Sequence, residues 1–174
     1  MTHNSLLVKL KTLLEKPWVQ TALMVVLLAL IILGPRLVGL DKFATVDEGA
    51  RSVYNANFYY ELGQRNFART YQEYQPGITT RWAGTIAMLS YFPEYRGLGQ
   101  GAFTKGKETH FSEFLESYGK DPLEYLAVTR FVQILMITFL LVIGFLLLSR
   151  LIGKLGAFFV VAYLSNSAFF LGHS

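Results

Sequence analysis

The chain contains no cysteine. Disulfides and thiolate metal sites are therefore excluded, and the redox compartment leaves no trace in the sequence. Histidine is scarce, with three in 174 residues. His110 has no partner at ligand spacing, so no histidine metal centre is expected. No internal repeat recurs along the chain. Charge is thin as well: 16% of residues are charged against 52% hydrophobic, and the mean hydropathy is +0.35. That balance is too apolar for an ordinary soluble domain and fits a polytopic membrane protein with one sizeable exposed segment. What the chain has in plenty is aromatic residues, 14 Phe and 10 Tyr, as expected where a loop lies against a bilayer interface.

A net charge of +4 invites a nucleic-acid reading, which its distribution argues against. Residues 41–128 hold nine Lys/Arg and eleven Asp/Glu, nine minus eleven giving −2. The basic excess lies beside the apolar segments, at Lys9, Lys11, Lys16, Arg150 and Lys154. No nucleic-acid partner is expected; the pattern is a topology signal.

Three apolar stretches are long enough to span, and the expected fold class is an all-α polytopic membrane protein. The first covers residues 18–40; about 23 residues at 1.5 Å rise give ~34 Å, enough for a ~30 Å hydrocarbon core. Pro35 and Arg36 stand near its outer end, where Pro can bend the exit and Arg can snorkel. The second covers residues 128–149 and the third 155–172, joined by a tight basic turn at 150–154. Ser165-Asn166-Ser167 interrupts the third; those groups are expected to hydrogen-bond a neighbouring helix, with the lining of a substrate path as the alternative.

Residues 1–17 form a lead with Leu6, Leu7, Leu10, Leu13 and Leu14 at helical spacing among lysines, as on an amphipathic segment at the inner membrane face. The lead is long and no small-x-small site follows Leu33, which favours an uncleaved anchor over a signal peptide. Flanking lysines and arginines place the N-terminus and the 150–154 turn in the cytoplasm. Residues 41–127 then form a large extracytoplasmic loop, and 173–174 begin a second outer segment.

The loop has helical organisation. Thr45-Val46-Asp47-Glu48 reads as a capping box, opening a helix that ends at Gly63. Pro76-Gly77 opens a second helix to about Tyr91, with Ile78, Trp82, Ile86 and Leu89 along one side, as on a helix in the headgroup region. Residues 97–107 (GLGQGAFTKGK) are glycine-rich and read as a mobile loop. Within them GAFTKGK imitates a phosphate-binding loop, but Glu108 replaces the required Ser or Thr and no hydrophobic strand precedes it. Asp121-Pro122-Leu123-Glu124 is a strong helix start, continuing into the second span.

Asp47 and Glu48 are the leading functional candidates. Acids in a first helical turn favour the dipole, and Arg51 sits at i+4 from Asp47 for an ion pair, which is the purely structural reading. The functional reading is that one carboxylate deprotonates an acceptor hydroxyl or binds a divalent cation, while nearby arginines hold phosphate. Arg51, Arg65, Arg69 and Arg81 are the phosphate-binding candidates. Arg81 leads them because it follows Pro76-Gly77 at a helix N-terminus, an anion-favouring element.

One membrane anchor, then Thr45-Val46-Asp47-Glu48-Gly49-Ala50, then Gln75-Pro76-Gly77, then a span pair ending in Phe169-Phe170-Leu171-Gly172-His173-Ser174, resembles the N-terminal portion of the GT-C membrane glycosyltransferases. The similarity is nearest to the dolichyl-phosphate-mannose protein mannosyltransferase type and its bacterial relatives, including the lipid A aminoarabinose transferases. The resemblance implies Asp47 as catalytic acid/base or metal-associated carboxylate, with Glu48 as its partner and a divalent cation as a possible cofactor. It implies a polyprenyl-phosphate sugar lipid as donor and a hydroxyl on protein, lipid or glycan as acceptor. Transfer would be inverting, on the outer side of a bacterial or archaeal plasma membrane. The family often has His where this chain has Gln75. The family has about a dozen spans, so the chain is expected to be a fragment, inactive alone. The rival reading is a non-catalytic membrane protein, a transporter part or assembly subunit, whose outer loop is a docking surface.

Overall fold

The computed structural model describes residues 12, 15–72, 77–104 and 106–167. Residues 1–11, 13 and 14 of the amphipathic lead, Gln75-Pro76 and the terminal Phe169 to Ser174 motif therefore lie outside the described residues. Within them every regular element is helical: α1 (Pro17–Arg36), α2 (Val46–Gly63), α3 (Ile78–Tyr91), α4 (Glu108–Ser117), α5 (Pro122–Ile152) and α6 (Lys154–Ser165). Two single-turn 3₁₀ segments, Phe67–Thr70 and Pro93–Gly97, follow α2 and α3. α1 and α5 are long and apolar enough to cross a membrane. The chain forms two compact units, one of Met1–Arg36 with Ile137–Ser174 and one of Leu37–Met136.

In the first unit, α1 and α6 pack with the C-terminal half of α5 around Leu28, Ile32, Phe145, Ala157 and Val161. Their outward positions, among them Leu23, Leu27, Leu30, Phe139, Leu147 and Phe159, are exposed and apolar. A helix apolar all round belongs in a core or a bilayer, and α1 and α5 have the length for the second. Lys154 Nζ donates to the Pro17 carbonyl at 2.8 Å, and Arg36 Nη2 donates to the Ser165 carbonyl at 2.7 Å. Start meets start and end meets end, so α1 and α6 run parallel.

The third apolar stretch is described only in part. α6 has 12 residues, about 18 Å of helix, and it closes at Ser165, while residues 168–172 of the stretch lie outside the described residues. Asn166 Nδ2 donates to the Ala162 carbonyl at 2.9 Å, and the Arg36 guanidinium takes the Ser165 carbonyl. Polar side chains thus satisfy the carbonyls a helix end leaves open. The basic turn is also tighter than 150–154, since α5 runs to Ile152 and only Gly153, at φ +80°, separates it from α6.

In the second unit, Val53, Ala56 and Tyr59 of α2 meet Ala87 and Met88 of α3, with Phe92, Tyr95, Phe111, Leu115 and Tyr125 closing the core. Edge-on ring pairs hold α4 against its neighbours, Tyr95–Phe111 against the 3₁₀ segment Pro93–Gly97 and Phe111–Tyr125 against the start of α5. α2 and α3 approach closely at Gly84, where a Cβ would fall 2.3 Å from the Asn55 side chain. α4 has no counterpart in the sequence reading. Nor is the glycine-rich segment loose at its centre. Asn57 Nδ2 donates to the Phe103 carbonyl at 2.7 Å, and the Phe103 N–H donates back to Asn57 Oδ1 at 2.8 Å.

α5 starts where the sequence places it. The Leu123 N–H donates to Asp121 Oδ1 at 2.8 Å, the expected N-cap bond. Glu124 turns away from the cap to accept from the Tyr91 hydroxyl at 2.8 Å. Burial, then the Glu124 hydrogen bond, pushes that hydroxyl up to about 12, so Tyr91 stays a neutral donor tying the end of α3 to α5.

Candidate functional site

α2 begins at Thr45, whose extended backbone makes it the N-cap, and its first turn carries Asp47 and Glu48. The two neighbours point to different surroundings. Glu48 folds back on the cap, and its Oε2 accepts from the Thr45 N–H at 2.7 Å, the returning half of a capping box. Arg130, two turns into α5, meets the same carboxylate with its planar fork. Nε donates to Oε1 at 2.8 Å and Nη2 to Oε2 at 2.6 Å. Nη2 also donates to the Phe43 carbonyl at 2.7 Å, and Nη1 donates to the Leu40 carbonyl. One guanidinium therefore fastens the connecting segment, the first turn of α2 and α5.

Both side chains of this pair are largely shielded from solvent, where bidentate charge-assisted bonds are strongest. Burial alone would raise the Glu48 carboxyl. The Arg130 hydrogen bonds, with those from Thr45 and the arginine's charge, outweigh burial and hold it below its ordinary value. Glu48 is thus a fixed carboxylate with both oxygens engaged, unsuited to accept a substrate proton.

Asp47 is free of that arrangement. Its side chain is 79% exposed, with Arg51 Nη2 at 4.0 Å from Oδ2 as an i,i+4 ion pair. Such an exposed pair is weak and readily exchanged for another partner. Asp47 is left as a solvent-facing carboxylate on a turn held rigid by its neighbour. A divalent cation shared by Asp47 and Glu48 does not fit this geometry, because it would displace a bidentate guanidinium from Glu48. Among the described residues no three His, Asp or Glu side chains converge to hold a metal.

The arginine candidates separate similarly. Arg81 stands in the first turn of α3, as the sequence indicates, but its side chain is buried. It donates to Asn55 Oδ1 at 3.2 Å and lies over the Tyr54 ring at 5.0 Å. It braces α3 on α2 and is not presented to a ligand. Arg65 and Arg69 are exposed, Arg65 in left-handed backbone at φ +57°. Of the four, Arg51 is the one paired with Asp47.

Arg130 is the site residue that reading the sequence misses. Its signal was present: a lone arginine inside a stretch otherwise apolar enough to span, where a charge requires a partner. Nothing in the sequence names Glu48, 82 positions away, as that partner. Comparison with protein-family models, with curated proteins and with solved structures gives no match.

Proposed function

We propose that the chain is the N-terminal part of a membrane glycosyltransferase that moves a sugar from a polyprenyl-phosphate donor to an acceptor hydroxyl outside the membrane. The observation that carries the reading is the division of labour in the Asp47–Glu48 pair. Glu48 is locked by Arg130, and Asp47 is held on the same turn with its carboxylate open to solvent. Asp47 then takes the acceptor proton as the acceptor oxygen bonds to the anomeric carbon. The bond from that carbon to the phosphate oxygen breaks, its electron pair leaves with polyprenyl phosphate, and the configuration inverts. Arg51, paired with Asp47, is the candidate placed beside the base to meet the departing phosphate. Catalysis here is positioning and charge stabilisation.

The test is made in membranes holding the whole protein of which this chain is part. Transfer of radiolabelled sugar from polyprenyl-phosphate mannose or aminoarabinose is measured for the wild type and for Asp47→Asn. Loss of a general base lowers turnover by ~10²-fold or more while the protein still inserts. Transfer by Asp47→Asn at the wild-type rate overturns the assignment.

A further inference from the structure

We propose that the outward face of α3 docks on the membrane surface, with Ile78, Trp82, Ile86 and Leu89 seated at the headgroup level of a phospholipid bilayer. Spacings of four, four and three residues put these side chains on one helical face. All four are between 46% and 58% exposed. The other side of the helix, with Ala83, Gly84, Ala87 and Met88, is packed inward, and Thr85, at the edge of the stripe, is buried as well. The apolar stripe is therefore not the core side of an ordinary amphipathic helix. It is a second apolar face, pointing away from the protein.

The stripe also lacks the charges a water-facing helix carries. α3 contains no acid and no lysine, and its one arginine, Arg81, is turned inward. Two of its hydroxyls are satisfied by their own backbone: Thr80 Oγ1 donates to the Gly77 carbonyl at 2.7 Å, and Ser90 Oγ to the Ala87 carbonyl at 2.9 Å. Trp82 is braced edge-on against Phe58, ring centroids 5.5 Å apart. A rigid tryptophan with an apolar body and one polar N–H suits the bilayer interface.

The occupant follows from how the unit is tethered. The chain enters residues 37–136 from α1 and leaves them along α5, the two helices long and apolar enough to cross a membrane. A bilayer surface is thus held next to this unit by the chain itself, at high effective concentration. A neutral apolar face needs no specific partner to be covered there.

The chain has two tryptophans, so Trp18→Phe leaves Trp82 as the only one. The whole chain is reconstituted in phosphatidylcholine vesicles carrying bromine either near the headgroup or near the acyl-chain ends. We expect loss of Trp82 emission, larger with the shallow bromines than with the deep ones. The Trp82→Phe variant, which reports Trp18, controls for correct insertion. Undiminished Trp82 emission in both lipids, with Trp18 quenched, overturns the proposal. The chain has no cysteine, so Ile86→Cys tests the competing occupant. Efficient thiol cross-linking between copies would assign the face to a second copy of the chain and also overturn it.

Discussion

Asp47 and Glu48 are adjacent carboxylates whose substitutions should do different things. Glu48→Gln keeps an acceptor for the Thr45 N–H but breaks the ion pair with Arg130. Hydrogen bonds to charged groups are worth about 1.5–3 kcal/mol, and the shielding of the pair puts the expected loss of stability in that range. Asp47→Asn removes only an exposed charge near a helix start and should cost less than about 1 kcal/mol. The stability effect also carries a pH signature. The Glu48 carboxyl lies lower in the folded protein than in the unfolded chain, so its contribution is complete above the unfolded value of about 4.3. That contribution is lost as pH falls through the lowered folded value. Unfolding of wild type and Glu48→Gln in detergent, followed from neutral to acid pH, should therefore show a gap that closes on acidification. A gap unchanged in acid would mean that the ion pair is not its source.

Two helix junctions show what a local reading captures and what it misses. α2 stops at Gly63 as its sequence suggests, but the residue in left-handed backbone is Arg65. The Arg65 N–H donates to the Leu62 carbonyl and the Asn66 N–H to the Glu61 carbonyl, at 3.2 and 3.0 Å. This is a Schellman closure whose special position glycine would fill more cheaply. Left-handed backbone costs a non-glycine residue roughly 1–2 kcal/mol, and glycine's extra freedom when unfolded returns part of that. Arg65→Gly should therefore raise stability by up to about 1 kcal/mol, read as a higher unfolding midpoint. Gly84 works in the opposite direction. Its missing Cβ admits Asn55, so Gly84→Leu should force α2 and α3 apart at about 1–3 kcal/mol or more. The starts at Thr45 and Asp121-Pro122 were legible because capping is local chemistry. The fastening of Phe103 by Asn57 and the inward turn of Arg81 were not, because each depends on a residue from another helix.

At the scale of the whole molecule, the sequence indicated an all-helical chain, and the described residues bear that out with α1 and α5 as candidate spans. Periodicity could not foresee that α6 closes at Ser165, since Arg36, from the other end of the chain, takes the Ser165 carbonyl. Orientation remains a prediction, and it rests on charge. Lysine and arginine favour the cytoplasmic side of short flanking segments. Lys16 stands just before α1, and Arg150 and Lys154 bracket the turn into α6. The Lys154–Pro17 bond puts the starts of α1 and α6 at one end of their unit, so positions 16 and 154 should share a side. Single-cysteine variants of this cysteine-free chain can report it. In intact cells an impermeant maleimide should label Lys107→Cys, on the exposed loop before α4. It should leave Lys16→Cys and Arg150→Cys unlabelled until the membrane is opened. Labelling of Lys16→Cys and Arg150→Cys with Lys107→Cys protected would invert the orientation and place Asp47 in the cytoplasm. Opposite results for positions 16 and 150 would contradict the parallel packing of α1 and α6 itself.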